Sequence, residues 1–138
     1  ASEILREHGF EIIEEILLPD EMAQTKKELI RLSDSRQVDL IITTGGTGLS
    51  PRDCTPEATL AVADRNVPGI AEAIRAGSMT ITKRAMLSRG VSVIRKKTLI
   101  INLPGSKKAV EEGLSFIIDQ LPHGLDTLRG NTQDCGRN

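Results

Sequence analysis

Residues 38–48, VDLIITTGGTG, carry the reading of the fold. Val38-Asp39-Leu40-Ile41-Ile42-Thr43 is a short, nearly continuous apolar run, the mark of a strand covered on both faces. It passes through Thr44 into Gly45-Gly46-Thr47-Gly48. A strand of that kind belongs to an α/β sheet, where ligands bind beyond the carboxyl ends of the strands. Three glycines in four residues let the backbone approach a ligand and turn its N–H groups toward phosphate oxygens. The loop is not a Walker A, because no Gly-Lys-Ser/Thr follows, and it lacks the third glycine of the dinucleotide fingerprint. A Gly-rich turn also has a purely structural reading. The flanking threonines and Arg52-Asp53 favour a ligand.

Outward from this stretch, helices alternate with strands. Downstream, Thr55-Pro56-Glu57 is a helix start, with Thr55 as cap, Pro56 in the first helical position and Glu57 complementing the dipole. That helix is predicted to run to about Arg65, and a second follows Pro68 with Ile70, Ala73, Ile74 and Gly77 on one side. Val91–Ile94 and Thr98–Ile101 read as strands around a solvated hairpin tip, Arg95-Lys96-Lys97. Asn102-Leu103-Pro104-Gly105-Ser106 then leads into an amphipathic helix with Val110, Leu114, Ile117 and Ile118. Pro122 is expected to interrupt it, Leu125 and Leu128 mark a last turn or two, and Gly130–Asn138 reads as a polar, loose tail. Upstream, Ala1, Ile4 and Leu5 share a helical face capped near Gly9. Phe10–Leu18, FEIIEEILL, reads as a strand ending at Pro19-Asp20, and a helix runs from Glu21 to about Ser33. The pattern predicts one α/β domain over residues 1–138 with a mostly parallel sheet. Because such a sheet usually opens with a strand and a helix comes first here, an N-terminal strand is expected to be missing.

Composition narrows the function. Eighteen Lys and Arg against 19 Asp and Glu give a formal charge of −1, without the basic excess of a nucleic-acid binder. Tryptophan and tyrosine are absent and there are two phenylalanines, so the core must be aliphatic and base stacking on aromatics is excluded. Cys54 and Cys135 lie far apart and form no C-x-x-C pair, so neither a zinc nor a redox motif is indicated. No apolar run approaches the ~20 residues that span a bilayer, and no signal-peptide pattern opens the chain. The expected compartment is the cytoplasm.

The candidate site lies where strand ends converge. Asp20 and Asp53 end adjacent elements, and two carboxylates there could hold Mg²⁺ through water and clamp a triphosphate. Each has a plainer reading: Asp20 as a cap for the helix from Glu21, Asp53 as the start of a turn. Asn102 and Ser106 also read as a strand terminator and a helix cap, although a helix N-terminus is itself an anion site. Cys54 has no histidine nearby in sequence and is not read as a nucleophile. His8 and His123 lie by helix ends and read as solvated. Ser78, Lys83 and Ser88-Arg89 are not singled out by composition.

Thr43–Ala58, TTGGTGLSPRDCTPEA, closely resembles the signature of the molybdopterin-binding family, which includes bacterial adenylyltransferases and the N-terminal domain of gephyrin. Leu18–Glu21 (LPDE), Ala85–Arg89 (AMLSR), Leu99–Ser106 (LIINLPGS) and Leu121–His123 (LPH) match in the same order. Cys54 stands where valine is usual. The resemblance implies a three-layer α/β fold, a mostly parallel sheet with helices on both faces and a small hairpin. It implies adenylylation of molybdopterin by MgATP with release of pyrophosphate, the pterin's own phosphate being the nucleophile. Asp20 and Asp53 would then be the catalytic and Mg²⁺-handling pair. Thr44, Gly45, Gly46, Thr47 and Gly48 would cradle the nucleotide, and Ser78, Ser88, Asn102, Gly105 and Ser106 would line the nucleotide–pterin pocket. The implied assembly is a homotrimer with transient contact to a molybdenum insertase. Family members open with a strand and a loop ahead of the first helix, and this chain has neither. The competing readings are a paralogue acting elsewhere in the same pathway and a non-catalytic molybdopterin-binding or trimerisation module.

Overall fold

The computed structural model describes residues 1–130. In chain order it contains α1 (Ser2–Glu7), α2 (Met22–Ile30) prolonged by a π-helical turn (Arg31–Ser35), β1 (Leu40–Thr44), α3 (Thr55–Val62) and β2 (Arg65–Asn66). There follow α4 (Pro68–Met79), a 3₁₀ turn (Lys83–Leu87), β3 (Ser92–Arg95), β4 (Thr98–Leu103), α5 (Lys107–Ser115), a 3₁₀ turn (Ile118–Gln120) and α6 (Leu121–Arg129). The polar tail expected after Gly130 and the second cysteine, Cys135, lie outside the described residues.

The four strands form one sheet in the order β1-β4-β3-β2. All six residues of β4 are buried. Alternation along it sends Leu99, Ile101 and Leu103 to one face, against Ile74 of α4, Val110 and Leu114 of α5, and Leu121 of α6. Ile100 faces the other way, into a second cluster with Ile41, Val93, Leu29 of α2 and Val62 of α3. Helices therefore cover both faces, giving the expected three layers with an aliphatic core.

The sheet is α/β in class but mixed within the described residues. β1 and β4 are parallel, whereas β4–β3 and β3–β2 are antiparallel. The tight turn at Lys96, which has φ +52°, allows only an antiparallel return. The parallel pair is what positions the site. Thr43 sits opposite Asn102 and Thr44 opposite Leu103, so both strands end side by side. The Gly45 N–H donates to the Leu103 carbonyl at 2.9 Å, carrying the ladder one residue into the glycine loop.

Several expectations are corrected. Phe10–Leu18 is not a strand: no ladder joins it to β1, from which it is separated by a groove of about 1020 Å³ lined by both segments. Isoleucine content favours a pleated conformation, but a strand requires a neighbour's hydrogen bonds. The glutamates of the segment are drawn to arginines instead, Glu14 to Arg31 (2.7 Å) and Arg36 (2.7 Å). α3 stops at Val62, and Arg65 belongs to β2, because Asp64 and Val67 donate to β3 carbonyls. Cys54, not Thr55, stands at the N-cap of α3. Pro122 opens α6 in its first turn, where the missing N–H costs nothing. Arg95 is not a solvated tip: it makes hydrogen bonds of 3.0 and 2.8 Å to Asp34.

Candidate functional site

The glycine loop is shaped by its own contacts. Gly45 and Gly46 have φ of +90° and +69°, the left-handed region that side chains resist. A Cβ on Gly46 would lie 2.3 Å from Thr55 Oγ1, and one on Gly105 would lie 3.3 Å from the Gly45 Cα. The loops after β1 and β4 thus meet backbone to backbone. Part of the glycine requirement is therefore structural.

Arg89 fastens this loop from far along the chain. Its N–H donates to the Thr47 carbonyl at 2.7 Å, and its Nε donates to the Gly48 carbonyl at 2.7 Å. Its Nη2 reaches the Asp53 carbonyl at 3.0 Å and its Nη1 the Glu57 carboxylate at 2.5 Å. The hydrogen bond from Arg89 holds the Glu57 carboxyl below its ordinary range.

Asp53 closes the turn beyond the loop. Its Oδ2 accepts from the Ser50 N–H at 3.2 Å, while its own N–H donates to the Ser50 carbonyl at 2.9 Å. A Cβ on Gly48 would sit 3.0 Å from the same Oδ2, so the carboxylate lies across the glycine. Asp20 is exposed and does not cap α2, whose N-cap is Glu21. It lines the large groove together with Thr44, Gly45, Cys54 and Thr55. Burial pushes the Cys54 thiol up, and the charges of Asp20, Glu57, Asp53 and Glu21 push it further. Asp20 shares the groove with Cys54, and Asp53 precedes Cys54 in the chain.

Among the described residues no group of three or more His, Cys, Asp or Glu side chains could hold a metal ion. Mg²⁺ keeps several waters and takes one or two carboxylates plus substrate phosphates, a demand that exposed carboxylates such as Asp20 fit. It needs no all-protein metal cage.

A smaller cavity of about 30 Å³ lies on the other side of residues 88–90, lined by Arg75, Ser78, Ser88, Gly90 and Asn102 among others. The structure thus brings Ser78, Ser88 and Asn102 to one cavity, whereas Gly105 and Ser106 do not line it. Asn102, however, is committed internally: Oδ1 accepts from the Val91 N–H at 3.1 Å, and Nδ2 donates to Thr43 Oγ1 at 2.9 Å and Thr59 Oγ1 at 3.1 Å. Ser106 is exposed and its Oγ accepts from the Ala109 N–H at 3.1 Å, so its capping role is realised at the N-terminus of α5. Sequence reasoning passed over Arg75, Arg89 and Glu57. Arg75 stands three residues before Ser78, hence on the same face of α4, and its Nη1 holds the Ser88 and Gly90 carbonyls at 3.0 and 3.1 Å.

Comparison with known proteins places this geometry. The chain is 48% identical over 108 residues to the molybdopterin adenylyltransferase of Haemophilus influenzae, a match that covers 78% of this chain and 55% of that protein. It therefore spans about half the length of that relative. The solved molybdopterin biosynthesis enzyme MoaB from Thermus thermophilus superposes with a TM-score of 0.89 at 47% identity, over 94% of this chain and 81% of that one. The molybdopterin biosynthesis Mog protein from Mycobacterium ulcerans gives a TM-score of 0.85 at 43% identity, over 91% and 82%. The family described as "Probable molybdopterin binding domain" matches residues 1–123, and the chain belongs to that family.

Proposed function

We propose that the chain carries the nucleotide and pterin sites of a molybdopterin adenylyltransferase, which transfers AMP from MgATP to the molybdopterin phosphate. The observation that carries this reading is the glycine loop at the joined ends of β1 and β4, with Asp20 sharing the adjoining groove with Thr44, Gly45 and Cys54, and with the Asp53 carboxylate lying across Gly48. Two carboxylates have little use in holding anionic ligands unless a cation stands between them.

In this reading a phosphate oxygen of the pterin attacks the α-phosphorus of ATP. The new P–O bond forms as the bond to the β-phosphate's bridging oxygen breaks, and pyrophosphate leaves with that electron pair. No protein nucleophile is needed, so catalysis rests on positioning and charge neutralisation. The backbone of Thr44–Gly48 cradles the nucleotide phosphates, and Ser78, Ser88, Gly105 and Ser106 line the nucleotide–pterin pocket. Asn102 stiffens the wall between the strand ends rather than donating to a ligand. Asp20 and Asp53 would hold Mg²⁺, which when bound withdraws charge from the phosphates. A homotrimer, a transient insertase contact and a cytoplasmic setting belong to the same proposal; no helix among the described residues is long and apolar enough to cross a membrane.

The test is to incubate the protein with molybdopterin and labelled MgATP and to follow adenylylated pterin and pyrophosphate together. Both should appear in step. Asp53→Asn should abolish transfer while pterin binding survives, and transfer by that variant at near wild-type rate would sink the mechanism. The likeness to a protein named MoaB favours a second reading, a paralogue elsewhere in the same pathway. Pterin binding without AMP transfer by the unaltered protein would select it.

A further inference from the structure

Arg89 lies between the glycine loop and the small cavity. Its side chain turns toward the glycine loop, while its neighbours Ser88 and Gly90 line the small cavity and have their carbonyls held by Arg75. Of the four bonds Arg89 makes, three end on carbonyls of the segment 47–53 and the fourth on Glu57 in the first turn of α3. The fork spans the turn that begins at Gly48 and ends at Asp53. The Asp53 carboxylate rests on that turn through the Ser50 N–H and against the Gly48 Cα.

We infer that Arg89 is a positioning residue for the transfer reaction: it fixes the Gly48–Asp53 turn so that the Asp53 carboxylate is presented to the nucleotide-bound cation. The inference rests on the adenylyltransferase reading above. It explains why the position takes an arginine. A planar guanidinium offers five donors in a fixed fork, and only that fork reaches Gly48, Asp53 and Glu57 together. A lysine keeps the charge but aims one compact ammonium, which can satisfy one or two of the three acceptors. Glu57 completes the device by holding the guanidinium in plane, and it sits at the helix N-terminus, where its charge is favoured. No atom of Arg89 is assigned to the substrate; it acts through the backbone of Asp53.

The experiment compares wild type, Arg89→Lys and Glu57→Gln by three measurements: AMP transfer, pterin affinity, and ATP affinity with and without Mg²⁺ in the absence of pterin. In Arg89→Lys, kcat should fall by about one to two orders of magnitude, as for other residues that orient metal-holding groups. The gain in ATP affinity on adding Mg²⁺ should shrink, while pterin affinity stays within about twofold and the melting temperature holds within a few degrees. Glu57→Gln should move the same quantities in the same direction, by less. Transfer and Mg²⁺-dependent ATP binding close to wild type in Arg89→Lys would overturn the inference. A parallel loss of pterin binding and melting temperature would also overturn it, by showing a purely structural role. Should the unaltered protein transfer no AMP, the functional reading fails, and the Mg²⁺-dependent ATP binding of the variants still decides the role of Arg89. If the unaltered protein shows no Mg²⁺-dependent ATP binding either, both fall.

Discussion

Asn102 illustrates how one side chain can hold two strand ends and a helix in register. It is buried, it sits opposite Thr43 across the parallel pair, and its amide reaches Thr43, Thr59 and Val91. Replacing it by alanine leaves the Val91 N–H without its acceptor and takes a donor from the Thr43 and Thr59 hydroxyls, although Thr59 keeps its own bond to the Thr55 carbonyl. Asn102→Ala is expected to cost about 2–3 kcal/mol, the penalty for leaving buried polar groups unmade, read from urea unfolding. The glycine loop and Asp53 were legible in the sequence because they are contiguous and obey local turn chemistry. Arg89 was not: its partners Gly48, Asp53 and Glu57 are 41, 36 and 32 residues away, and nothing in the neighbourhood of Ser88 announces them. The role of Asp20 falls between these cases. Its position after a Pro was legible, and its nearness to Cys54 required the fold.

At the scale of elements, two contacts fix how neighbouring elements sit against one another. α4 and α5 cross where Gly77 faces Phe116, and a Cβ on Gly77 would come within 2.6–2.7 Å of ring atoms. The ring, itself partly open to solvent, must shift to make room, so Gly77→Ala should destabilise by about 1–3 kcal/mol. Adding Phe116→Ala should return part of the lost melting temperature. The second contact joins the π-helical turn after α2 to the β3–β4 hairpin through Asp34 and Arg95. The hydrogen bond from Arg95 holds the Asp34 carboxyl below its ordinary value. A depressed folded value means that the unfolded chain takes up the proton first. The stability from this pair is therefore present above the ordinary aspartate range, about 3.9, and is lost as pH falls through the lower folded value. The urea midpoint should drop as pH is lowered from about 5 through that range, and Asp34→Asn should make the drop shallower. Periodicity found the long helices and the hairpin because their apolar spacing is regular. It misread Phe10–Leu18, where isoleucine content mimics a strand but the partner that would make one is a matter of tertiary contact. It also ran α3 too far, since only the Asp64 and Val67 bonds to β3 turn Arg65 and Asn66 into a strand.

At the scale of the whole molecule, the three layers follow from β4. Its run Thr98–Leu103 is buried on both sides and so demands helices on both faces. Burial says nothing of the direction of the neighbours, which is why a mostly parallel sheet was expected and a mixed one is found. The parallel pair β1 with β4 agrees with the expectation of a mostly parallel sheet, under which the strand ends that carry the candidate residues converge on one edge. The wide groove beside β1 is bordered by Phe10–Leu18 and the acidic end at Asp20, so the layer on that side is held by ion pairs such as Glu14 with Arg31 and Arg36 as much as by apolar contact.

The aliphatic core has an optical consequence. With no tryptophan or tyrosine and two phenylalanines, the chain is nearly dark in the near ultraviolet, where those indole and phenol rings would absorb. None of Ile100, Ile101, Leu103 and Leu114 at its centre contributes a chromophore there. Purine and pterin rings absorb in that same window, so a bound ligand's spectrum, including any circular dichroism induced by an asymmetric site, stands on an almost blank background.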